Sequence, residues 1–140
     1  MLLLVALSLV PAGAHLFELP AKMTLPQDGY FTAQQLYRGW SLFGIVLISA
    51  LIVSVVEAFL LRRDRPAGWF ALATVLGLVA VLVIFFLRVY PMNQATANWT
   101  SIGADWESQR QRWEHGHAIN AIITFFAFCC AIAATLTARR

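Results

Sequence analysis

Residues 40–61 read WSLFGIVLISALIVSVVEAFLL, and this stretch decides the fold class. It contains one ionisable residue, Glu57, and no face that is polar at the helical period. A soluble helix buries one stripe and shows water the other, whereas a helix that is apolar all round lies in a core or a membrane. At 1.5 Å per residue the stretch is about 33 Å long, enough to cross a hydrocarbon layer of about 30 Å. Two more stretches share this character: Trp69–Tyr90, with Arg88 near its far end, and Ala118–Leu136. A fourth, Met1–Phe17, carries no charge but is shorter and holds Pro11, which should kink it unless neighbouring helices take up the freed carbonyl.

Whole-chain arithmetic agrees. Of 140 residues, 60% are apolar and 12% charged, and the mean hydropathy is +0.71. A soluble domain carries about 25% charged residues. Disorder, collagen and disulfide-rich secreted scaffolds are excluded by the same composition. The expected fold is all-α: one integral membrane domain over 1–140, a four-helix bundle with spans at 1–17, 40–61, 69–90 and 118–136 and helical extensions on the outer side. Ala12-Gly13-Ala14 resembles a signal-peptidase site. No Lys or Arg precedes its apolar core, so the segment is expected to stay as a span.

Charge placement orients the bundle. Arg62, Arg63 and Arg65 occupy the short second loop, and Arg139 and Arg140 end the chain on the same side. Dense arginine in a short loop marks the cytoplasmic face. Both termini are therefore expected in the cytoplasm, in a bacterial inner membrane, with Glu18–Gly39 and Pro91–Gly116 outside. Trp40 and Tyr90 would mark the outer interface and Trp69 the inner one. Asp28 is a plausible N-cap for a helix that begins near Tyr30 and continues into the second span. The pairs Ala50/Ser54, Ala73/Gly77 and Ala127/Ala131 are four apart and offer close-packing faces.

The ionisable residues collect at the outer end. Helical rise puts His15 roughly 21 Å above Met1 and His117 roughly 28 Å above Leu136, with Arg88 at a similar level. On the fourth helix Trp106, Arg110, Trp113, His117 and Asn120 recur at helical spacing and share one face, with Glu114 beside them. An Arg110–Glu114–His117 cluster is expected, held by mutual pairing. Tyr30, Gln34, Tyr37 and Ser41 repeat the spacing, with Arg38 adjacent, and His15 and Glu18 lie one turn apart. Each feature also has a structural reading: interfacial Trp anchors with snorkelling arginines, or a satisfied His–Glu pair.

Metal and haem are weighed by ligand supply. Glu114-x-x-His117 is half of a carboxylate di-metal site, but the outer parts of the second and third helices offer no acid. His15 and His117 on facing helices form a pair that a b-type haem would need. His115 and His117 point about 200° apart on one helix and do not share a site. The expectation is no metal and no cofactor, because Glu18 and Glu114 have basic partners in Lys22, Arg110 or Arg112 that a cation would have to displace, and this basic setting favours an anionic ligand. Cys129 and Cys130 are adjacent in mid-span and read as small apolar residues. Glu57 reads as an ion-pair partner of Arg62 or as a proton-handling group. Asn98-Trp99-Thr100 matches a glycosylation sequon, a pattern short enough to arise by chance. No basic run with interleaved aromatics is present, so nucleic acid is not an expected partner. The lipid bilayer and a lipophilic aromatic small molecule are, and no protein partner is legible.

Tyr90-Pro91-x-Asn93, Trp99 and Trp106-x-x-x-Arg110-x-x-Trp113-Glu114-x-x-His117 resemble the C-terminal half of a family of small four-helix membrane proteins that includes fungal anthrone oxygenases. Tyr37-Arg38-Gly39-Trp40 resembles the bacterial members, most of which have no assigned reaction. The resemblance implies oxygenation of an anthrone carbon to a quinone with no dedicated cofactor. His117 would be the base, Glu114 would orient it, and Arg110 or Arg88 would stabilise the enolate oxygen. Trp99, Trp106 and Trp113 would wall an aromatic substrate, with His15, Glu18, Tyr37, Arg38, Asn93 and Asn120 completing the site. Two other classes stay open: a non-enzymatic accessory or ligand-binding subunit, and a haem- or metal-binding redox protein.

Overall fold

The structure, a computed structural model, describes residues 1–138; Arg139 and Arg140, part of the orientation argument, lie outside the described residues. The elements are α1 (Leu2–Thr24), α2 (Gln27–Gln34), α3 (Phe43–Leu61), α4 (Ala67–Ile84), α5 (Tyr90–Ala95) and α6 (Trp106–Thr137). Short 3-10 turns at Gln35–Tyr37 and Trp40–Leu42 lead into α3, and a π-helical segment, Phe85–Val89, joins α4 to α5. With these joins four helices are long and apolar enough to cross a membrane: Leu2–Thr24, Trp40–Leu61, Ala67–Ala95 and Trp106–Thr137. They close a ring in which α6 packs on α1 and α4, and α3 packs on α4 and α1.

Side-chain size sets the packing. Toward the α3–α4 loop the helices meet through small residues: Ala50 and Ser54 on α3, Ala71, Thr74 and Gly77 on α4, and Ala127, Ala131 and Ala134 on α6. A Cβ at Gly77 would lie 3.0 Å from the Cβ of Ala127, so glycine lets α4 and α6 touch. Ala73 of the expected pair is only half-buried; the seam runs through Ala71, Thr74 and Gly77. Toward the other end aromatic residues fill the wider space, with Tyr30, Phe31, Val89, Trp99 and Trp113 forming one buried cluster. The ring exposes a belt of large apolar side chains, Ile45, Ile52, Phe59, Leu76, Val83, Ile122 and Phe125 among them. A belt of this extent in water would drive aggregation, and lipid satisfies it.

Several expected boundaries move. The first span does not stop at Phe17: α1 runs through Pro11 and Pro20 to Thr24. Proline costs one hydrogen bond, which packing against α6 and α3 offsets here. The extension carries Lys22 over the polar end. No single helix runs from Tyr30 into the second span. α2 starts at Gln27 behind Pro26, which occupies the N-cap position expected for Asp28, and the chain breaks at Gly39, whose φ of 87° favours glycine. The third span continues past Tyr90 to Ala95 through the π segment. α6 is unbroken from Trp106 to Thr137, as the stripe anticipated.

Candidate functional site

The polar end is organised around two charges that left water together. Glu114 is fully buried on α6, and Lys22 is almost fully buried on α1. Lys22 Nζ lies 2.8 Å from Glu114 Oε2. The other carboxylate oxygen accepts from Tyr30 Oη at 3.0 Å and from Gln34 Nε2 at 3.4 Å. Lys22 also reaches His15 Nδ1 at 3.4 Å and Glu18 at 3.8 Å. An ammonium has three donors and no acceptor, so Nδ1 of His15 accepts and the ring proton sits on Nε2. Buried charges persist only when paired and hydrogen-bonded in this way.

Aromatic rings enclose the pair. His15 stacks on His117 with centroids 4.0 Å apart and planes 24° from parallel. Trp113 stands edge-on to His15 at 5.1 Å and to His117 at 4.3 Å. Tyr37 and Trp40 close the α1 side, at 4.5 Å and 5.5 Å from the His15 ring. Lys22 Nζ also sits 4.8 Å from the centre of Tyr37 and 5.3 Å from that of Trp113, within cation–π range. The Tyr37 hydroxyl donates to Glu18 Oε2. Burial, then the hydrogen bond to Glu18, push the Tyr37 phenol up from its ordinary value. Burial, then the Glu114 charge, push that of Tyr30 up as well. Both stay protonated donors at neutral pH.

An outer ring holds this arrangement. Trp113 Nε1 donates to Asn93 Oδ1 at 2.7 Å, tying α6 to α5. Trp99 is buried against Tyr30, Phe31 and Trp113, and it ends a run of three residues, Ala97, Asn98 and Trp99, with positive φ. Left-handed backbone is costly for a bulky residue. Here its N–H donates to Thr96 Oγ1 at 3.0 Å and its carbonyl accepts from Gln35 Nε2 at 3.2 Å. Trp106 packs on Tyr30 and Phe31. Asn120 is buried one turn below His117, with no partner for Oδ1.

Five expected contacts are corrected, the first that of Glu114 with His117: the carboxylate engages Lys22, Tyr30 and Gln34, and it does not bond the imidazole. Arg110 does not pair with Glu114: it donates to the Leu25 carbonyl at 2.9 Å and lies over Trp106 and Tyr30, while Lys22 takes the carboxylate. Glu18 does not hold His15; Tyr37 and Lys22 engage it instead. Arg88 does not meet the cluster, because the π segment turns it to the exposed surface beside Arg112 and His115. Arg38 is exposed and donates to Gln35 Oε1 at 2.7 Å, outside the cage. At the opposite end Glu57 faces the Met1 nitrogen at 3.6 Å, and Arg62 donates to the Phe59 carbonyl.

Lys22, Tyr30 and Gln34 hold Glu114, and all three were left out of the site residues expected from the sequence, Lys22 being read only as a basic neighbour of the acids. His15, Glu18 and Lys22 are spaced by three and four, one helix face, and that signal was available. Ending the first span at Phe17 left Lys22 off the helix that carries it to Glu114. Among the described residues no group of three or more His, Cys, Asp or Glu converges as a metal site. The pair His15/His117 does not fit a haem in this arrangement, because the stacked rings occupy the gap that a porphyrin between them would need. Compared with protein families, with curated proteins and with solved structures, the chain finds no match.

Proposed function

We propose that this chain is a bacterial inner-membrane protein, with both termini in the cytoplasm, that binds a lipophilic aromatic molecule at the polar end of its bundle. We propose further that it oxygenates that molecule in the manner the resemblance to anthrone oxygenases implies. One observation carries the reading. His117 stacks on His15 beside a buried ammonium, yet its own ring nitrogens make no hydrogen bond among the described residues. An imidazole nitrogen left free in an aromatic cage is placed to accept a proton. In this scheme His117 takes a proton from the activated CH2 of an anthrone. The resulting enolate carbon adds O2, the proton returns to give a hydroperoxide, and loss of water leaves the ketone. Lys22 takes the role first given to Arg110, a cation beside the developing negative charge, and Glu114 positions Lys22.

The test is turnover of a hydroxylated anthrone by detergent-purified protein under 18O2. Labelled quinone is expected, with His117→Gln slowing its formation by about a hundred-fold or more while the helix content holds. Equal rates for the wild type, His117→Gln and buffer refute the catalytic reading. A second reading, a non-enzymatic ligand-binding subunit, is favoured by the internal satisfaction of Lys22 and Glu114. It gains if the anthrone binds saturably without turnover.

A further inference from the structure

At the end of the bundle opposite the Lys22–Glu114 pair, α3 and α4 leave a groove of about 380 Å³ between them. One wall is Val55, Ala58, Phe59 and Arg62, spaced as one face of α3; the other is Gly68, Trp69, Leu72 and Val75, one face of α4. From Val55 to Arg62 is seven residues, so the wall is about 10 Å long along the helix. Val55, Ala58, Leu72 and Val75 make its aliphatic end, and Arg62 and Arg65 stand at its mouth, the end by the α3–α4 loop. That end is fixed by contact between backbones: a Cβ at Gly68 would lie 2.5 Å from the Leu61 carbonyl oxygen, so α4 starts hard against the end of α3.

The two arginines are held rather than adrift. The Arg62 guanidinium lies 3.9 Å from the centre of the Phe59 ring and spends one donor on the Phe59 carbonyl, at 2.6 Å. The Arg65 guanidinium lies 5.7 Å from the centre of Trp69. A guanidinium carries five N–H donors, so Arg62, with one spent on the Phe59 carbonyl, keeps donors for the oxygens of a phosphate. Three arginines stand against one aspartate, Asp64, in residues 62–65. Phe59 and Trp69 are 62% and 59% exposed, so the groove opens outward along its length toward the lipid belt.

We propose that this groove is a binding site for one anionic phospholipid, with an acyl chain along Val55, Ala58, Leu72 and Val75 and the headgroup phosphate on Arg62 and Arg65. The charge of the mouth selects an anion, and the aliphatic end selects a chain joined to it. A free phosphate would use only the first and a zwitterionic lipid mainly the second. The site is separate from the candidate catalytic cage and does not depend on the reaction proposed for it.

Trp69 reports on the site directly. The full-length protein is placed in vesicles in which dibrominated phosphatidylglycerol or dibrominated phosphatidylcholine competes with its unbrominated form. Quenching at Trp69 is the difference between the wild type and Trp69→Phe, whose remaining tryptophans lie toward the other end. Phosphatidylglycerol is expected to win by roughly five-fold for each arginine engaged. The preference should vanish in the doubly substituted Arg62→Gln/Arg65→Gln protein. It should also fall in Ala58→Phe, which fills the groove and leaves the arginines in place. Equal quenching by the two lipids in the wild type means annular contact only and overturns the proposal. So does a preference that survives either substitution unchanged, the first because no phosphate is gripped, the second because no chain lies in the groove.

Discussion

Lys22 and Glu114 stabilise the bundle only together, and a double-mutant cycle measures this. Glu114 is fully buried, the Lys22 side chain is 5% exposed, and their charges are 2.8 Å apart. Lys22→Met leaves a carboxylate facing only Tyr30 and Gln34. Glu114→Gln keeps an acceptor for Tyr30 but leaves an ammonium with His15 and a longer contact to Glu18. Stranding one member of a buried pair costs about 3–5 kcal/mol. If the sites were independent the double variant would lose roughly 6–10 kcal/mol. Because Lys22→Met/Glu114→Gln strands no charge, its loss is expected at about 1–3 kcal/mol, that of an imperfectly bonded buried amide. The double variant should therefore be at least as stable as either single one. The assay is reversible unfolding in mixed micelles by SDS titration, read as ellipticity at 222 nm for all four proteins. Additive losses would show that the two residues do not sense each other, and the account of the polar end as one charge-paired unit would fail.

Alkaline pH should destabilise the fold through Tyr30 and Tyr37. Both phenols are held above their ordinary value, chiefly by burial, so the folded chain keeps protons that the unfolded chain releases near pH 10. The contribution is whole below that pH and is lost as pH rises above it; Tyr30→Phe/Tyr37→Phe should flatten the decline, and an unchanged slope would contradict the assignment. Reporter fusions at the C-terminus and in the exposed loop Ser101–Gly103 should report opposite compartments, with the C-terminus cytoplasmic. A periplasmic C-terminus would invert the proposed orientation.

Composition and period sufficed for the fold class. Four apolar stretches without a polar face leave a helical bundle as the arrangement that satisfies every backbone group out of water. The spacing of Trp106, Arg110, Trp113, His117 and Asn120 likewise put the polar face of α6 in view, because a helix repeats at a known angle. Partners were another matter. Spacing along one helix says which side chains share a face, but not which helix faces them. Arg110, four residues from Glu114, looked like its counter-ion; the tertiary arrangement gave that place to Lys22, 92 residues away in the chain. Two local events decided this. α1 stays helical through Pro20 as far as Lys22, and breaks at Leu25–Pro26 and Gly39 separate α2 from both neighbouring spans, so that Tyr30 and Gln34 reach Glu114. Arg88 left the site because the π segment rotated it outward, a change of register that no apolar pattern records. Apolar burial is summed over a stretch and survives an error of several residues, whereas a hydrogen bond depends on where each helix ends and how far it is rotated.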